Sequence, residues 1–132
     1  MEKILNNAAE ILLLIFLIIT FLQSGIDKIF DWTGNVSWLK GHFSETFVKN
    51  IVPNLLFIVL TVEIIASVLC IIGIYQIIAF SSTSIAFYGA LASCIVLLML
   101  LFGQRIAKDY DGARTIAIYF IPAVLLVFLL QQ

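Results

Sequence analysis

Four long apolar stretches decide what this chain can become. They run from about Ala8 to Phe30, Val52 to Gly73, Ile77 to Phe102 and Ala113 to Leu130, and each reaches or nearly reaches the about 20 residues that cross about 30 Å of hydrocarbon. Lipid offers no water to peptide groups, so runs of this kind must satisfy their own backbones as helices. Composition points the same way. Of 132 residues, 63% are hydrophobic and 11% are charged, whereas a soluble domain is about half apolar and about a quarter charged. The expected architecture is an all-α, integral membrane four-helix bundle, a single domain over 1–132.

The connections add detail. Pro53 falls in the first turn of the second span, where a missing N–H costs little. Ile74, Tyr75 and Gln76 are read as the link between the second and third spans, which makes those two antiparallel neighbours. Asp111 precedes the fourth span as an N-cap candidate, favoured by the positive helix end. Pro122 lies within that span and removes a backbone donor, which predicts a kink. Between the first and second spans, Val36, Leu39, Phe43, Phe47 and Ile51 recur at three- and four-residue spacing, one face of a helix. Trp32 and Trp38 suit a membrane–water boundary. This segment is expected to be a short amphipathic helix on the membrane, or folded back over the bundle mouth. Lys3 followed by Ile11–Ile19 has something of a signal peptide, but no A-x-A site follows, so a retained helix is expected.

Charge restricts partners and topology. The formal net charge is -1, which gives no basic surface for nucleic acid. Phosphate loops and zinc-type Cys/His pairs are missing from the sequence, and His42 is its sole histidine, so no metal site and no cofactor motif is predicted. Lys28, Lys40, Lys49, Arg105, Lys108 and Arg114 all fall on the side of the first and third connections. By the positive-inside rule, residues 31–51 and 103–112 are expected in the cytoplasm.

Glu63 is the residue with most chemical content. It stands near the middle of the second span among Leu60, Val62, Ile64 and Ile65, where an ionised carboxylate costs at least about 3 kcal/mol. It must be protonated, paired or hydrated in a cavity. It is read either as an acid that handles protons or binds a ligand, or as interhelical glue. At 1.5 Å per residue, Glu63 lies about 16 Å from the charged side, Thr20 about 15 Å, Gln23 about 10 Å, Ser93 about 14 Å and Tyr119 about 10 Å. A polar chamber of Glu63, Gln23, Thr20, Ser93 and Tyr119 is one construction. Mutual hydrogen bonds worth about 0.6 kcal/mol each are the other. Lys28 either snorkels to the interface or faces inward at the chamber mouth. Arg105 and Arg114 are further entrance candidates. In the third span, Ser82, Ala86, Ala90 and Cys94, widened by Gly89 and Ser93, form a small-residue stripe for close helix packing.

The stretch Phe21-Leu22-Gln23-Ser24-Gly25-Ile26-Asp27-Lys28-Ile29-Phe30 closes an apolar run in Gly-x-x-Lys. Glu63 is followed ten residues later by Gly73, and Phe102-Gly103-Gln104-Arg105-Ile106-Ala107-Lys108-Asp109-Tyr110-Asp111-Gly112-Ala113 links the last two spans. In this order the motifs resemble the DoxX family of small bacterial membrane proteins, over nearly the whole chain. Many members of that family begin the first helix with an arginine, where this chain has Glu10. The resemblance implies a bacterial cytoplasmic-membrane protein associated with a redox or respiratory system, with a quinone as a candidate bound ligand.

Three functional readings follow. The first is a non-catalytic accessory or subunit whose chamber around Glu63 takes a small amphipathic molecule or assists a proton step. The second is a structural or assembly protein docking on a larger membrane complex or on copies of itself. The third is a small-molecule or proton transporter, which would need polar access from both sides. The bilayer is the partner common to all three.

Overall fold

A computed structural model describes residues 2–131 of the chain. Among the described residues six helices follow one another: α1 (Glu2–Asn6), α2 (Ala8–Phe30), α3 (Trp32–His42), α4 (Val52–Phe80), α5 (Ser84–Ile106) and α6 (Tyr110–Gln131). The long helices α2, α4, α5 and α6 are each long and apolar enough to cross a membrane. They form an all-α four-helix membrane bundle. α2 packs on α4, α4 on α5, α5 on α6, and α6 closes the ring on α2, the most sparsely packed of these four sides.

The bundle inverts the pattern of a soluble protein. Its interior is a thin column that includes Leu14, Leu17, Phe21, Ile77, Val96, Leu97 and Leu126. Its outside carries Leu12, Ile19, Phe57, Ile65, Ile95, Ile121 and Phe128, all exposed. Such a surface is stable only where hydrocarbon is the solvent.

The turn between the second and third spans differs from expectation. α4 runs through Ile74, Tyr75 and Gln76 to Phe80, and the connection is Ser81–Thr83. None of the residues 74–76 breaks a helix. Ser81 does the work instead, adopting a left-handed conformation with φ 55°. The Ser81 N–H then bonds the Ile77 carbonyl and the Ser82 N–H the Gln76 carbonyl, closing the helix as a Schellman-type end. Gln76 serves the next helix as well, since its Oε1 accepts the Ile85 N–H at 3.1 Å.

This shift resets the pairing of α4 with α5. Gly73 now faces Ala86, and Gly89 faces Cys70. Each helix contributes a glycine at a point where the two backbones nearly touch, the arrangement that small residues allow in membranes. Ala86, Gly89, Ala90, Ser93 and Cys94 are all buried along α5. Ser82, expected in that stripe, lies in the turn.

The connection after α2 is shorter in helix than its periodicity predicts. α3 ends at His42, and the residues from 43 to 51 turn without forming a further helix. Thr46 donates its hydroxyl to the Phe43 carbonyl at 2.8 Å and accepts the Val48 N–H at 3.3 Å. Such local bonds compete with helix continuation. Val48 is buried, whereas Phe47 and Ile51 are exposed.

Asp109 caps α6, in place of Asp111. Lys108 takes a positive φ of 60°, the Asp109 N–H bonds the Gln104 carbonyl, and Asp109 Oδ1 accepts the Gly112 N–H at 3.0 Å. Asp111 lies on the exposed side with Arg114, 3.2 Å away. Asp109→Ala is therefore expected to lower stability by about 1 kcal/mol, while Asp111→Ala stays within about 0.5 kcal/mol of the parent chain. Denaturation midpoints in detergent micelles check the ranking.

Candidate functional site

The site begins as a stripe on α2. Phe16, Thr20, Gln23, Ser24, Asp27 and Lys28 recur at three- and four-residue intervals, which places them on one face of the helix. All six line a cavity of about 580 Å³ within the bundle, a volume in the range of about 300–1,000 Å³ of small-molecule sites. α4 contributes Glu63, α5 contributes Leu97 and Leu100, and α6 contributes Ile116 and Tyr119. Asn35 on α3 also lines it, so the short helix folds back against the polar end of the cavity. From Phe16 to Lys28 the α2 wall is about 18 Å long.

Gly25 fixes the relation between α2 and α4. A Cβ built there would lie 3.0 Å from Ile64 Cδ1 and 3.6 Å from Leu60 Cδ1. This close crossing levels Gly25 with the turn before Glu63 and brings Lys28 within reach of the acid. Lys28 Nζ lies 2.9 Å from Glu63 Oε1, with the two side chains 15% and 1% exposed. The same ammonium donates a hydrogen bond of 2.6 Å to Ser24 Oγ. The lysine therefore turns inward to the acid instead of snorkelling away from it.

The pairing is incomplete. The ammonium meets Oε1 outside hydrogen-bond alignment, and among the described residues neither Glu63 oxygen has an aligned hydrogen-bond donor. An ion taken out of water needs its lone pairs satisfied as well as its charge neutralised. Glu63 thus stands on the cavity wall as a buried carboxylate with bonding capacity left over.

The remaining candidates fall on both sides of this boundary. Thr20, Gln23 and Tyr119 line the cavity with Glu63 and Lys28. Thr20 gives its hydroxyl hydrogen to the Phe16 carbonyl at 2.8 Å, and the Tyr119 ring packs against Phe16 with centroids 6.1 Å apart. Ser93 does not line the cavity. It is fully buried in the α4–α5 seam, donates to the Gly89 carbonyl at 2.8 Å and lies 4.0 Å from Cys70 Sγ. The displaced turn explains this, because it slides Ser93 past Glu63 and brings Leu97 and Leu100 to the acid's level.

Arg105 and Arg114 also lie off the cavity wall. Arg105 sits over the Tyr110 ring, 5.1 Å from its centroid. Arg114 is 73% exposed beside Asp111. A separate contact ties α3 to the α5–α6 connection: His42 Nε2 is 3.0 Å from Gln104 Oε1 and 3.7 Å from Asp109 Oδ2, with the imidazole stacked on Trp38. Among the described residues no three His, Cys, Asp or Glu side chains gather as a metal site.

Ser24 and Asp27 were detectable as parts of the helical stripe that contains Lys28. Asn35 carried no such signal, since its place depends on α3 folding back. Chemically, the arrangement can hold a polar group against Glu63 and bury an apolar body among Phe16, Leu100 and Ile116. Compared with known proteins, the chain matches no family model, no curated protein and no solved structure.

Proposed function

We propose that this protein is a DoxX-like accessory subunit of a redox or respiratory system in a bacterial cytoplasmic membrane, and that its cavity takes a small amphipathic molecule. The observation that carries the reading is Glu63, which is buried on the cavity wall and ion-paired with Lys28, with no aligned hydrogen-bond donor at either oxygen among the described residues. A bundle that needed only helix packing would gain nothing from burying this charge, since an ion pair in an apolar setting roughly breaks even with hydrophobic residues of the same volume. An intramembrane acid is by default a functional group. A quinone headgroup is one ligand the chamber suits in size and polarity, and a proton step is the chemistry the Glu63 carboxylate offers.

Topology in this reading keeps the positive connections in the cytoplasm. Lys28 is engaged by Glu63 and Ser24, so it no longer counts towards orientation. Lys40, Lys49, Arg105, Lys108 and Arg114 remain on the same side, and the bias holds.

Replacement of Glu63 tests the proposal. Glu63→Gln is expected to abolish complementation of a deletion strain while the protein still inserts, as judged by its abundance in purified membranes. If Glu63→Gln and Glu63→Leu both complement as well as the parent chain, the chamber has no functional role. Purification in mild detergent with mass spectrometry then decides for the docking alternative if a stoichiometric large partner copurifies.

A further inference from the structure

A second recess lies at the charged end of the bundle and shares no lining residue with the chamber. Its volume is about 390 Å³, within the range of small-molecule sites. Lys40 on α3, Ser44, Lys49 and Asn50 in the turns that follow, and Pro53 in the first turn of α4 form its wall. The chain brings the two lysines together by curling. α3 stops at His42, and successive turns return the backbone. The Ser44 N–H bonds the Gly41 carbonyl, the Thr46 N–H that of Phe43, the Lys49 N–H that of Thr46 and the Ile51 N–H that of Val48. Two anchors hold the curl on the bundle: His42 Nε2 lies 3.0 Å from Gln104 Oε1, and Val48 is buried.

The charge on this wall has one sign. Lys40 and Lys49 are its charged groups, and among the described residues neither ammonium has an ion pair. Glu45, the nearest acid in sequence, is exposed and is not part of the wall. The Ser44 hydroxyl and the Asn50 amide can each donate or accept, so they suit either kind of occupant, and the two ammonium groups decide its charge. Two cations on one wall repel each other, and an anion between them replaces that repulsion with two attractions. Lysine is a phosphate binder of the point-charge kind.

The flanking side chains indicate where such an anion comes from. Trp38, Phe47 and Ile51 are exposed by 63%, 81% and 44%, and each lies two residues from one of the lysines. Exposed aromatic rings of this kind belong at the boundary between headgroups and acyl chains, and basic pockets at that boundary take anionic headgroups.

We infer that the recess seats the phosphate of an anionic phospholipid between Lys40 and Lys49, with Ser44 and Asn50 bonding the other headgroup oxygens. Occupied, it links α3, the turns and the start of α4 through one headgroup.

Native mass spectrometry of the full chain, released from micelles of a neutral detergent, counts the lipids bound. The probes are dioleoyl phosphatidylglycerol, dioleoyl phosphatidylcholine and soluble glycerol 3-phosphate. Phosphatidylglycerol is expected to bind about tenfold to thirtyfold tighter than phosphatidylcholine, the worth of two lysines near a membrane surface. Glycerol 3-phosphate at equal concentration is expected not to displace it. Lys40→Gln/Lys49→Gln is expected to remove the preference. Lys108→Gln/Arg114→Gln, which removes the same charge from the same end of the bundle but outside the recess, is expected to keep it. All four side chains are exposed, so neither variant disturbs the packing.

Equal affinity of the parent chain for the two lipids overturns the inference. An equal loss of preference in both double variants also overturns it, in favour of attraction by diffuse surface charge. Displacement by glycerol 3-phosphate at equal concentration overturns the lipid assignment in favour of a soluble phosphate ligand. None of these results bears on the chamber, which is tested at Glu63.

Discussion

Lys28→Met is expected to destabilise the bundle by about 3–5 kcal/mol, the cost of leaving one member of a buried ion pair without its partner. The double variant Lys28→Met/Glu63→Leu is expected to recover most of that loss. The asymmetry follows from the geometry. Both side chains are nearly out of contact with solvent, and they lie 2.9 Å apart across the α2–α4 crossing. Removing the ammonium leaves a carboxylate that has lost its one charge partner among the described residues and has no aligned donor at either oxygen. Removing both charges leaves apolar groups of similar bulk, which the interior of a membrane bundle accepts readily. A double-mutant cycle on denaturation in mixed micelles measures the coupling. If Lys28→Met alone is as stable as the parent, the lysine does not neutralise Glu63, and the ion pair cannot be what orients the acid towards the cavity.

The membrane architecture was legible because hydrocarbon imposes so few solutions. Apolar length alone located α2 at Ala8–Phe30, and it placed the other spans to within a few residues at most of their ends. The exception is the α4–α5 turn. Two polar interruptions follow Gly73, Tyr75-Gln76 and Ser81-Ser82-Thr83-Ser84, and the break comes at the second, where Ser81 adopts a left-handed backbone. The depth of Ser93 was misplaced at the other end of the same hairpin: counted from Phe102, Ser93 stands level with Glu63, but α5 continues to Ile106, and the turn at Ser81–Thr83 sets Ser93 beside Cys70.

Glu63 itself needed no fold to be noticed, because a charge at that depth is conspicuous against its neighbours. Its partner was less accessible. Lys28 sits two residues before the end of α2, where an outward, snorkelling lysine is as natural as an inward one. The choice between them rests on Gly25, whose missing side chain lets α2 approach Ile64 and Leu60 closely enough for the lysine to reach the acid. Arg105 and Arg114 show the opposite case. Their charge and position in the sequence suit an entrance, but Tyr110 and Asp111 are nearer partners in the folded chain.

Gly73→Ala is expected to be the most damaging of the glycine-to-alanine changes, with a loss of about 1–3 kcal/mol from overpacking. A Cβ at this position would lie 2.6 Å from Ala86 Cα and 2.8 Å from both Ala86 N and Ala86 Cβ. Two of these atoms are backbone, so no rotamer change relieves the clash. α4 and α5 must move apart by about 1 Å to restore ordinary van der Waals spacing, and that opening also strips contacts at the second crossing, where Gly89 meets Cys70. Gly25→Ala has an easier remedy, because its nearest neighbour is the flexible tip of Ile64 at 3.0 Å. Gly41→Ala meets nothing within 4 Å and is expected to cost no stability. The predicted order of loss, Gly73 greater than Gly25 greater than Gly41, is read from unfolding midpoints of the three variants in one detergent. Equal midpoints for Gly73→Ala and Gly41→Ala would mean that the α4–α5 backbones are not in contact at Gly73. The placement of α5 against Glu63 would then lose its basis, since the same seam holds Leu97 and Leu100 on the cavity wall.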